Sequence, residues 1–368
     1  MTAKKRVVSL DIFRGLTVAA MIFVNTLPIT ADTSFLLKHS AWAGLTLVDL
    51  VFPFFLFIVG VSMAYSFKQR ENQSQRQLWG HFLYRVGALF AIGLFLNWIG
   101  GGLPLRIPGV LQLIALASLF AAPLARRRMR WILLAVAILM VVQSSILLYA
   151  DAPGVISGNF QEEGNIAGWV DVQIFGAQHL FEPETPPDFD PEGILTILTA
   201  TAMVLIGLLF GKTLQRRGGN WTTMQIFFFI GVSLIPIGIL LSTWLPIIKQ
   251  LWTASFIMVT TGLAAIILAL LYSFIDLMGR KSILKAAIPL GLNALILYVL
   301  SAVVNTFTQK FYVTSTAGDA ISLYQALYQP FMDLLSPSIG AFTYAALVVI
   351  IWGLIAYLMH RRRIYIKL

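Results

Sequence analysis

The chain has 368 residues, of which 58% are hydrophobic and only 11% are charged, and its formal net charge is +10. A soluble domain keeps about a quarter of its residues charged, so the composition excludes an ordinary soluble protein and predicts a polytopic membrane protein. The chain has no cysteine, which excludes disulfides, thiolate metal sites and cysteine nucleophiles. We expect the positive charge to follow membrane topology rather than to bind nucleic acid.

The hydrophobic segments predict an all-α fold of ten membrane-spanning helices, because a helix needs about 20 apolar residues to cross a bilayer core. The predicted spans, in chain order, lie at about 8–28, 47–67, 78–98, 108–125, 130–150, 193–213, 222–245, 251–275, 285–307 and 339–359. We expect one integral-membrane domain over 1–368, with five helices in 1–150, a loop over 151–192 and five helices in 193–368.

The distribution of basic residues predicts the orientation. With the N-terminus inside, 20 of the 26 Lys and Arg residues fall on the cytoplasmic side and four on the outer side, so both termini should be cytoplasmic. The loop 151–192, which holds nine acidic residues and no Lys or Arg, is then outside. A second outer segment, about 308–338, contains LYQALYQPFMDLL with Pro330. It is too short to span, so we interpret it as an interfacial or re-entrant helix; an eleventh span would move the C-terminal basic cluster outside.

Two charged residues interrupt the first predicted span. An ionisable side chain inside a span is costly unless it is paired or hydrated, so each is a candidate site. Asp11 and Arg14 are three residues apart and therefore share one helix face. Two interpretations stay open: an intramembrane ion pair, or an Arg14 that faces a polar cavity and binds a ligand phosphate or carbonyl.

Three polar side chains flank the first outer loop. Asn25 lies near the outer end of the first span, His39 lies in the loop, and Asp49 opens the second span. A carboxylate or amide on one ring nitrogen would fix the tautomer of the histidine and leave the other nitrogen free as a base. We therefore favour a functional role for His39 over an interfacial or capping role. The outer-side histidines and acids show no metal-ligand spacing, and we expect no metal.

The segment FDPEGIL at 189–195 predicts the start of the sixth span. Asp190 suits the N-cap, Pro191 the first helical position and Glu192 the positive end of the helix dipole. Glu192 has an equally weighted alternative, which is to hold a cationic or hydroxyl-rich substrate. Other polar or aromatic residues near span ends, each of which could instead connect helices, are Arg106, Gln112, Trp252, Ser255 and Asn293.

Several of these segments together resemble a known family. SLDIFRG, FVN and KHSAWAGLTLVDLVFPFFLFIVG, followed by RIPGVLQ, FDPEGIL, KQLWTASF and PLGLNALILYV, resemble the heparan-α-glucosaminide N-acetyltransferase family of transmembrane acyltransferases in the same order and over nearly the whole chain. The resemblance implies a multi-pass protein of the bacterial inner membrane. It further implies transfer of an acetyl group from cytoplasmic acetyl-CoA to the amine of a glucosamine-type sugar on the outer side.

The resemblance also implies residue roles. The catalytic histidine corresponds to His39 and its neighbours to Asn25 and Asp49. A histidine base contributes about 10²–10⁴ in rate, an aspartate orients it, and Asn25 or a tryptophan N–H would donate to the oxyanion. Whether His39 acts as the base or is transiently acetylated stays open.

We assign the remaining candidates to the two substrates. CoA phosphates should lie near cytoplasmic basic groups such as Arg14, Arg85 or Lys281. The predicted acetyl-CoA-binding residues are Asp11, Arg14, Arg85, Gln112, Ser255 and Asn293. The predicted acceptor-binding residues are Trp42, Arg106, Glu192 and Trp252. The expected partners are acetyl-CoA as cosubstrate, an amino sugar or glycan, and the lipid bilayer; a homodimer is left open.

Two other functions remain open. A transporter for amino sugars or muropeptide fragments would suit five plus five helices in an inverted repeat, although the DIFRG…KH…D pattern has no counterpart after residue 193. An O-acyltransferase of an envelope glycan would use the same donor with a hydroxyl acceptor. After GLNALILYV this chain continues as LSAVVN, where the lysosomal family member has a polar segment with a histidine, so the resemblance leaves the acceptor open.

Overall fold

The structure is a computed structural model that describes residues 7–30, 33–181, 189–280, 284–315 and 318–366. In that part of the chain the fold is almost entirely α-helical, and eight helices are long and apolar enough to cross a membrane. The prediction of an all-α, multi-pass membrane protein is therefore confirmed.

The helices are, in chain order, α1 Val8–Thr26, α2 Val51–Gln69, α3 Gln75–Gly101, α4 Val110–Ala121, α5 Met129–Tyr149, α6 Ile166–Phe175, α7 Ile194–Arg217, α8 Trp221–Leu241, α9 Ala254–Tyr272, α10 Ala287–Leu292, α11 Ala294–Lys310, α12 Leu323–Leu334 and α13 Pro337–Arg361. Two short strands, β1 Tyr312–Thr314 and β2 Ala320–Ser322, form an antiparallel hairpin between α11 and α12.

Eight of the ten predicted spans correspond to long helices. The span predicted at 108–125 is a shorter helix, Val110–Leu124, of which the last three residues form a 3-10 turn. The span predicted at 285–307 is divided into α10 and α11 because Asn293 leaves the helical conformation, with φ −117° and ψ 27°. The total of ten spans and the cytoplasmic termini stay predictions.

The segment predicted as an interfacial or re-entrant helix contains α12, which includes Pro330 and has no buried residue. Its place at a membrane surface stays a prediction. The hairpin before it and α6, which lies within the acidic loop, were not predicted.

Contacts divide the chain into two compact units. The first unit holds the described residues up to Ser40, Thr46–Phe52 and those from Met278 onwards. The second unit holds Ala41–Leu45 and Pro53–Leu277. The predicted single domain stays a prediction.

Within the first unit, α1 packs against α10, α11 and α13. Two glycines allow α1 and α10 to approach closely: a Cβ on Gly15 would overlap the carbonyl of Ala287, and a Cβ on Gly291 would overlap the carbonyl of Asp11. The small residues therefore bring the two backbones into direct contact beside the Asp11 and Arg14 side chains.

Within the second unit, α7 is the most enclosed helix and contacts α4, α5, α8 and α9. Gly60 on α2 and Gly207 on α7 face the backbones of Val204 and Phe57, where a Cβ would overlap a carbonyl oxygen. In contrast, α3, α5 and α8 leave large apolar side chains exposed, as expected for surfaces that face lipid. Of the candidate site residues in this unit, Glu192 lies just before the N-terminal end of α7.

Candidate active site

The loop between α1 and α2 carries a histidine–carboxylate pair. Nδ1 of His39 lies 2.6 Å from Oδ1 of Asp49. The His39 side chain is 51% exposed, whereas the Asp49 side chain is completely buried. The pair thus joins an accessible imidazole to a carboxylate fixed inside the protein.

Asp49 is held by the loop that precedes α2. Its other oxygen, Oδ2, accepts from the backbone N–H of Ser40 (3.1 Å) and from the backbone N–H and hydroxyl of Thr46 (3.1 and 2.9 Å). When Asp49 is ionised it has no proton to donate, and Nδ1 of His39 is then the donor. In the neutral ring the basic lone pair is then on Nε2, the nitrogen that would act in general base catalysis.

Two residues predicted beside this pair have different surroundings. Asn25 is exposed in the last turn of α1, and its backbone carbonyl accepts from Nδ2 of Asn305 at 2.9 Å. Trp42, in the second unit, donates its indole N–H to the carbonyl of Phe160 at 2.7 Å and packs edge-on against Phe189. The Trp42 N–H thus already has an acceptor, and the role of Asn25 as oxyanion donor stays a prediction.

Asp11 and Arg14 form the ion pair that was one of their two interpretations, with 3.7 Å between Nη1 of Arg14 and Oδ1 of Asp11. Nη1 of Arg14 also lies 3.4 Å from the carbonyl oxygen of Gly291 on α10. Contact of Arg14 with a CoA phosphate stays a prediction.

Three of the predicted acetyl-CoA ligands are buried and bound to backbone groups. Gln112 donates to the carbonyl of Ile107 (3.1 Å), and Ser255 donates to the carbonyl of Leu245 (2.6 Å). Asn293 donates to one backbone group of the C-terminal tail and accepts from another, at 3.1 and 3.0 Å. These contacts favour structural roles, and their part in binding acetyl-CoA stays a prediction. Arg85 is exposed on α3, and Lys281 lies outside the described residues.

Trp252, a predicted acceptor-binding residue, is almost completely buried and has a positive φ of 50°. Left-handed backbone is unusual for a bulky residue and is held only where the surroundings enforce it. Nε2 of Gln143 donates to the carbonyl of Leu251 at 2.8 Å and lies 3.4 Å from that of Trp252. The burial favours a structural role for Trp252, and its contact with an acceptor stays a prediction.

Arg106 and Glu192, both predicted to bind the acceptor, belong to one charged cluster. Nε and Nη2 of Arg106 donate to the two carboxylate oxygens of Asp190 at 2.8 and 2.7 Å, and Nη2 also donates to Glu192 at 2.6 Å. Burial alone would lower the pKa of Arg106, but the Asp190 hydrogen bond and the charges of Glu192 and Asp190 raise it. Burial raises the pKa of Glu192, although the charge of Arg106 opposes this rise. Arg106 therefore binds both oxygens of Asp190 and supplies the positive charge that opposes the rise in the pKa of Glu192.

The prediction that Asp190 caps the sixth span is wrong. α7 begins at Ile194, and its backbone N–H donates at 2.8 Å to Asp171, which lies on α6, 23 residues earlier. The backbone N–H of Asp190 also points to Asp171, at 3.4 Å. Arg106 binds both oxygens of Asp190, and the first N–H of α7 donates instead to Asp171, a residue that the sequence had not singled out.

Asp171 should make stability depend on pH. Burial raises the pKa of Asp171 to about 7, against the hydrogen bond from the Ile194 N–H that lowers it. A carboxyl with a folded-state pKa above its unfolded value of about 3.9 stabilises the fold at low pH, and this stabilisation is lost as pH rises through about 7. We expect a rise from pH 5 to pH 8 to lower the thermal unfolding midpoint of the wild type more than that of Asp171→Asn.

The measurement is thermal unfolding in detergent, with Asp151→Asn as the exposed control, which should follow the wild-type pH profile. Parallel profiles for wild type and Asp171→Asn would contradict the assignment.

Comparison with known proteins gives one consistent result. A family profile described as heparan-alpha-glucosaminide N-acetyltransferase, catalytic, matches residues 6–238. The human protein named heparan-alpha-glucosaminide N-acetyltransferase is 28% identical over an alignment of 420 positions, which covers 99% of this chain and 60% of the human protein. The mouse protein of the same name is 25% identical, with 100% of this chain and 61% of the mouse protein covered. The chain thus spans about 60% of the length of these relatives, and the resemblance seen in its motifs is confirmed.

Proposed function

The chain belongs to the heparan-alpha-glucosaminide N-acetyltransferase family, and from this premise we propose that it transfers an acetyl group from acetyl-CoA to the amine of a glucosamine-type sugar. The observation that carries the proposal is the 2.6 Å contact between Nδ1 of His39 and the buried carboxylate of Asp49. It leaves Nε2 as the basic nitrogen of an imidazole that is half exposed.

The proposed reaction needs one base and one oxyanion donor. The acceptor nitrogen attacks the thioester carbonyl carbon, a C–N bond forms, and the C–S bond breaks as the tetrahedral intermediate collapses. His39 takes the proton that the nitrogen loses and gives it to the departing thiolate. Asp49 stabilises the imidazolium that exists between these two steps, and Asn25 is the proposed donor to the oxyanion.

We further propose that acetyl-CoA is bound from the cytoplasmic side and the sugar from the outer side. The bias of basic residues, 20 of 26 on one side of the predicted topology, supports this sidedness. Arg14 and Arg85 are the proposed phosphate-binding groups. Trp42, Arg106, Glu192 and Trp252 are the proposed acceptor contacts.

The test is product analysis with detergent-purified protein. Acetyl-labelled acetyl-CoA and glucosamine should give N-acetylglucosamine and free CoA, whereas N-acetylglucosamine, which has no free amine, should not accept the label. An alkali-labile ester product would contradict N-transfer and indicate an O-acyltransferase. Uptake of the amino sugar into proteoliposomes without acetyl-CoA, together with no labelled product, would contradict transferase activity altogether.

A further inference from the structure

The last turn of α1, which carries Asn25, is held by side chains from two other helices. A helix leaves its final carbonyl groups without intrahelical partners, and Pro28 prevents α1 from continuing. Nδ2 of Asn305, on α11, donates to the carbonyl of Asn25 at 2.9 Å. The hydroxyl of Tyr324, on α12, donates to the carbonyl of Thr26 at 3.2 Å. The end of α1 is therefore fixed by two donors that lie nearly 300 residues later in the chain.

The donor on α12, Tyr324, is held in place by aromatic packing. The ring of Tyr324 packs edge-on against Tyr328 and Tyr344, with centroids 5.0 and 5.9 Å away. Burial raises the pKa of Tyr324, as do Tyr344 and Tyr328. The phenol therefore stays protonated and remains a hydrogen-bond donor across the physiological range.

The corner between α12 and α13 also supports the segment that leads to the catalytic histidine. An apolar cluster joins these elements to the end of α1; it consists of Leu27, Ala341 and Ala345, with Phe23, Leu37 and Met332 packed against it. Leu37 lies only two residues before His39. Gly340 allows the corner to close, since a Cβ there would lie 2.6 Å from the carbonyl oxygen of Phe331.

We propose that Asn305 and Tyr324 are positioning residues that act through Asn25, by holding the last turn of α1 in place for the reaction at His39. The proposal rests on the proposed function. Neither residue is assigned to substrate; each side chain donates a hydrogen bond to the backbone of the turn it holds. Both lie beyond the region 6–238 that the family profile matches, so α11 and α12 complete an arrangement whose catalytic residues belong to the first 50 residues of the chain.

Misplacing an oxyanion donor should lower the rate strongly, because the donor stabilises the transition state only if it is already in place when the charge develops. A displacement of about 1 Å at a reacting group can cost on the order of 10²-fold in rate. Releasing one of two donors from the turn should give a smaller effect. We expect Tyr324→Phe or Asn305→Leu to lower kcat by roughly 10-fold and to leave KM for acetyl-CoA nearly unchanged.

A double-mutant cycle separates positioning from general stability. Tyr324→Phe and Asn305→Leu are each measured in the wild-type and the Asn25→Ala backgrounds, with Tyr328→Phe as the matched control that removes a neighbouring hydroxyl. We expect both losses of kcat to disappear in the Asn25→Ala background and the control to keep wild-type kcat. Amide hydrogen exchange should be faster at residues 24–27 in both variants, because the carbonyls of this turn lose a restraint.

Other results would contradict either the positioning role alone or the proposed function as well. Equal losses of kcat in both backgrounds, a raised KM with unchanged kcat, or unchanged hydrogen exchange in the turn would overturn the positioning role while leaving the acetyltransferase in place. A wild-type protein that makes no acetylated amine would remove the proposed function and the positioning role with it.

Discussion

Replacing His39 by alanine should lower acetyl transfer by about 10²–10⁴-fold, the contribution expected of a general base. About half of the imidazole surface is exposed, so the protein should still fold and still bind CoA. The measurement is the initial rate of N-acetylglucosamine formation, with CoA binding followed by calorimetry on the same preparation.

Asp49→Asn tests the partner of the same pair. The two oxygens of Asp49 take part in four hydrogen bonds, whereas the side chain of an asparagine has only one oxygen that can accept. The variant should therefore fix the His39 tautomer less well and stabilise its imidazolium less, and we expect a large loss of rate. His81→Ala is the matched control, because His81 is exposed on α3 and bound to Arg70, and it should keep wild-type activity. Full activity of His39→Ala would contradict the catalytic role of His39.

A trapping experiment distinguishes a base from an acetyl carrier. If His39 is transiently acetylated, incubation with labelled acetyl-CoA without acceptor should label the wild type and leave His39→Ala unlabelled. If His39 acts only as a base, neither the wild type nor His39→Ala should become labelled.

Hydropathy was sufficient to predict the long helices but not the interruption of one. Counting apolar residues finds a span because lipid forbids unsatisfied backbone groups. It cannot show that Asn293 leaves the helical conformation, because hydropathy carries no information on the hydrogen bonds that the Asn293 side chain makes with residues 364 and 366. α6 was missed for a related reason: its ten residues are too few to give a membrane signal.

Local sequence rules found the pair of His39 and Asp49 because its members are ten residues apart in one loop. The same rules misassigned Asp190. N-cap preferences describe the residues next to a helix, whereas the oxygens of Asp190 are bound by Arg106, 84 positions earlier. Sequence alone also could not assign a role to Ser255. A serine that supports the fold and a serine that binds a ligand look the same in the sequence, and only the structure shows that the Ser255 hydroxyl donates to a backbone carbonyl.

Arg106→Met should be among the most destabilising single changes in the second unit. Methionine keeps an apolar stem over Phe181, which now lies 4.8 Å from the guanidinium carbon, so the change removes mainly the charge. Asp190 is completely buried and Glu192 is mostly so, and breaking a buried ion pair by removing one partner costs about 3–5 kcal/mol of the free energy of unfolding. We expect a clearly lower thermal unfolding midpoint in detergent at neutral pH.

The pH dependence of this loss identifies its cause. Arg106 opposes the rise in the pKa of Glu192 that burial produces, so removing Arg106 should raise that pKa further. As pH falls, Glu192 becomes protonated and the uncompensated charge disappears, and the gap between Arg106→Met and wild type should therefore narrow in acid. Arg106→Lys keeps the charge but not the bidentate contact and should lie between the two, while Arg128→Met, at an exposed arginine, should match the wild type. A gap that stays constant with pH would mean that Arg106 supports this end of α7 through packing rather than through its charge.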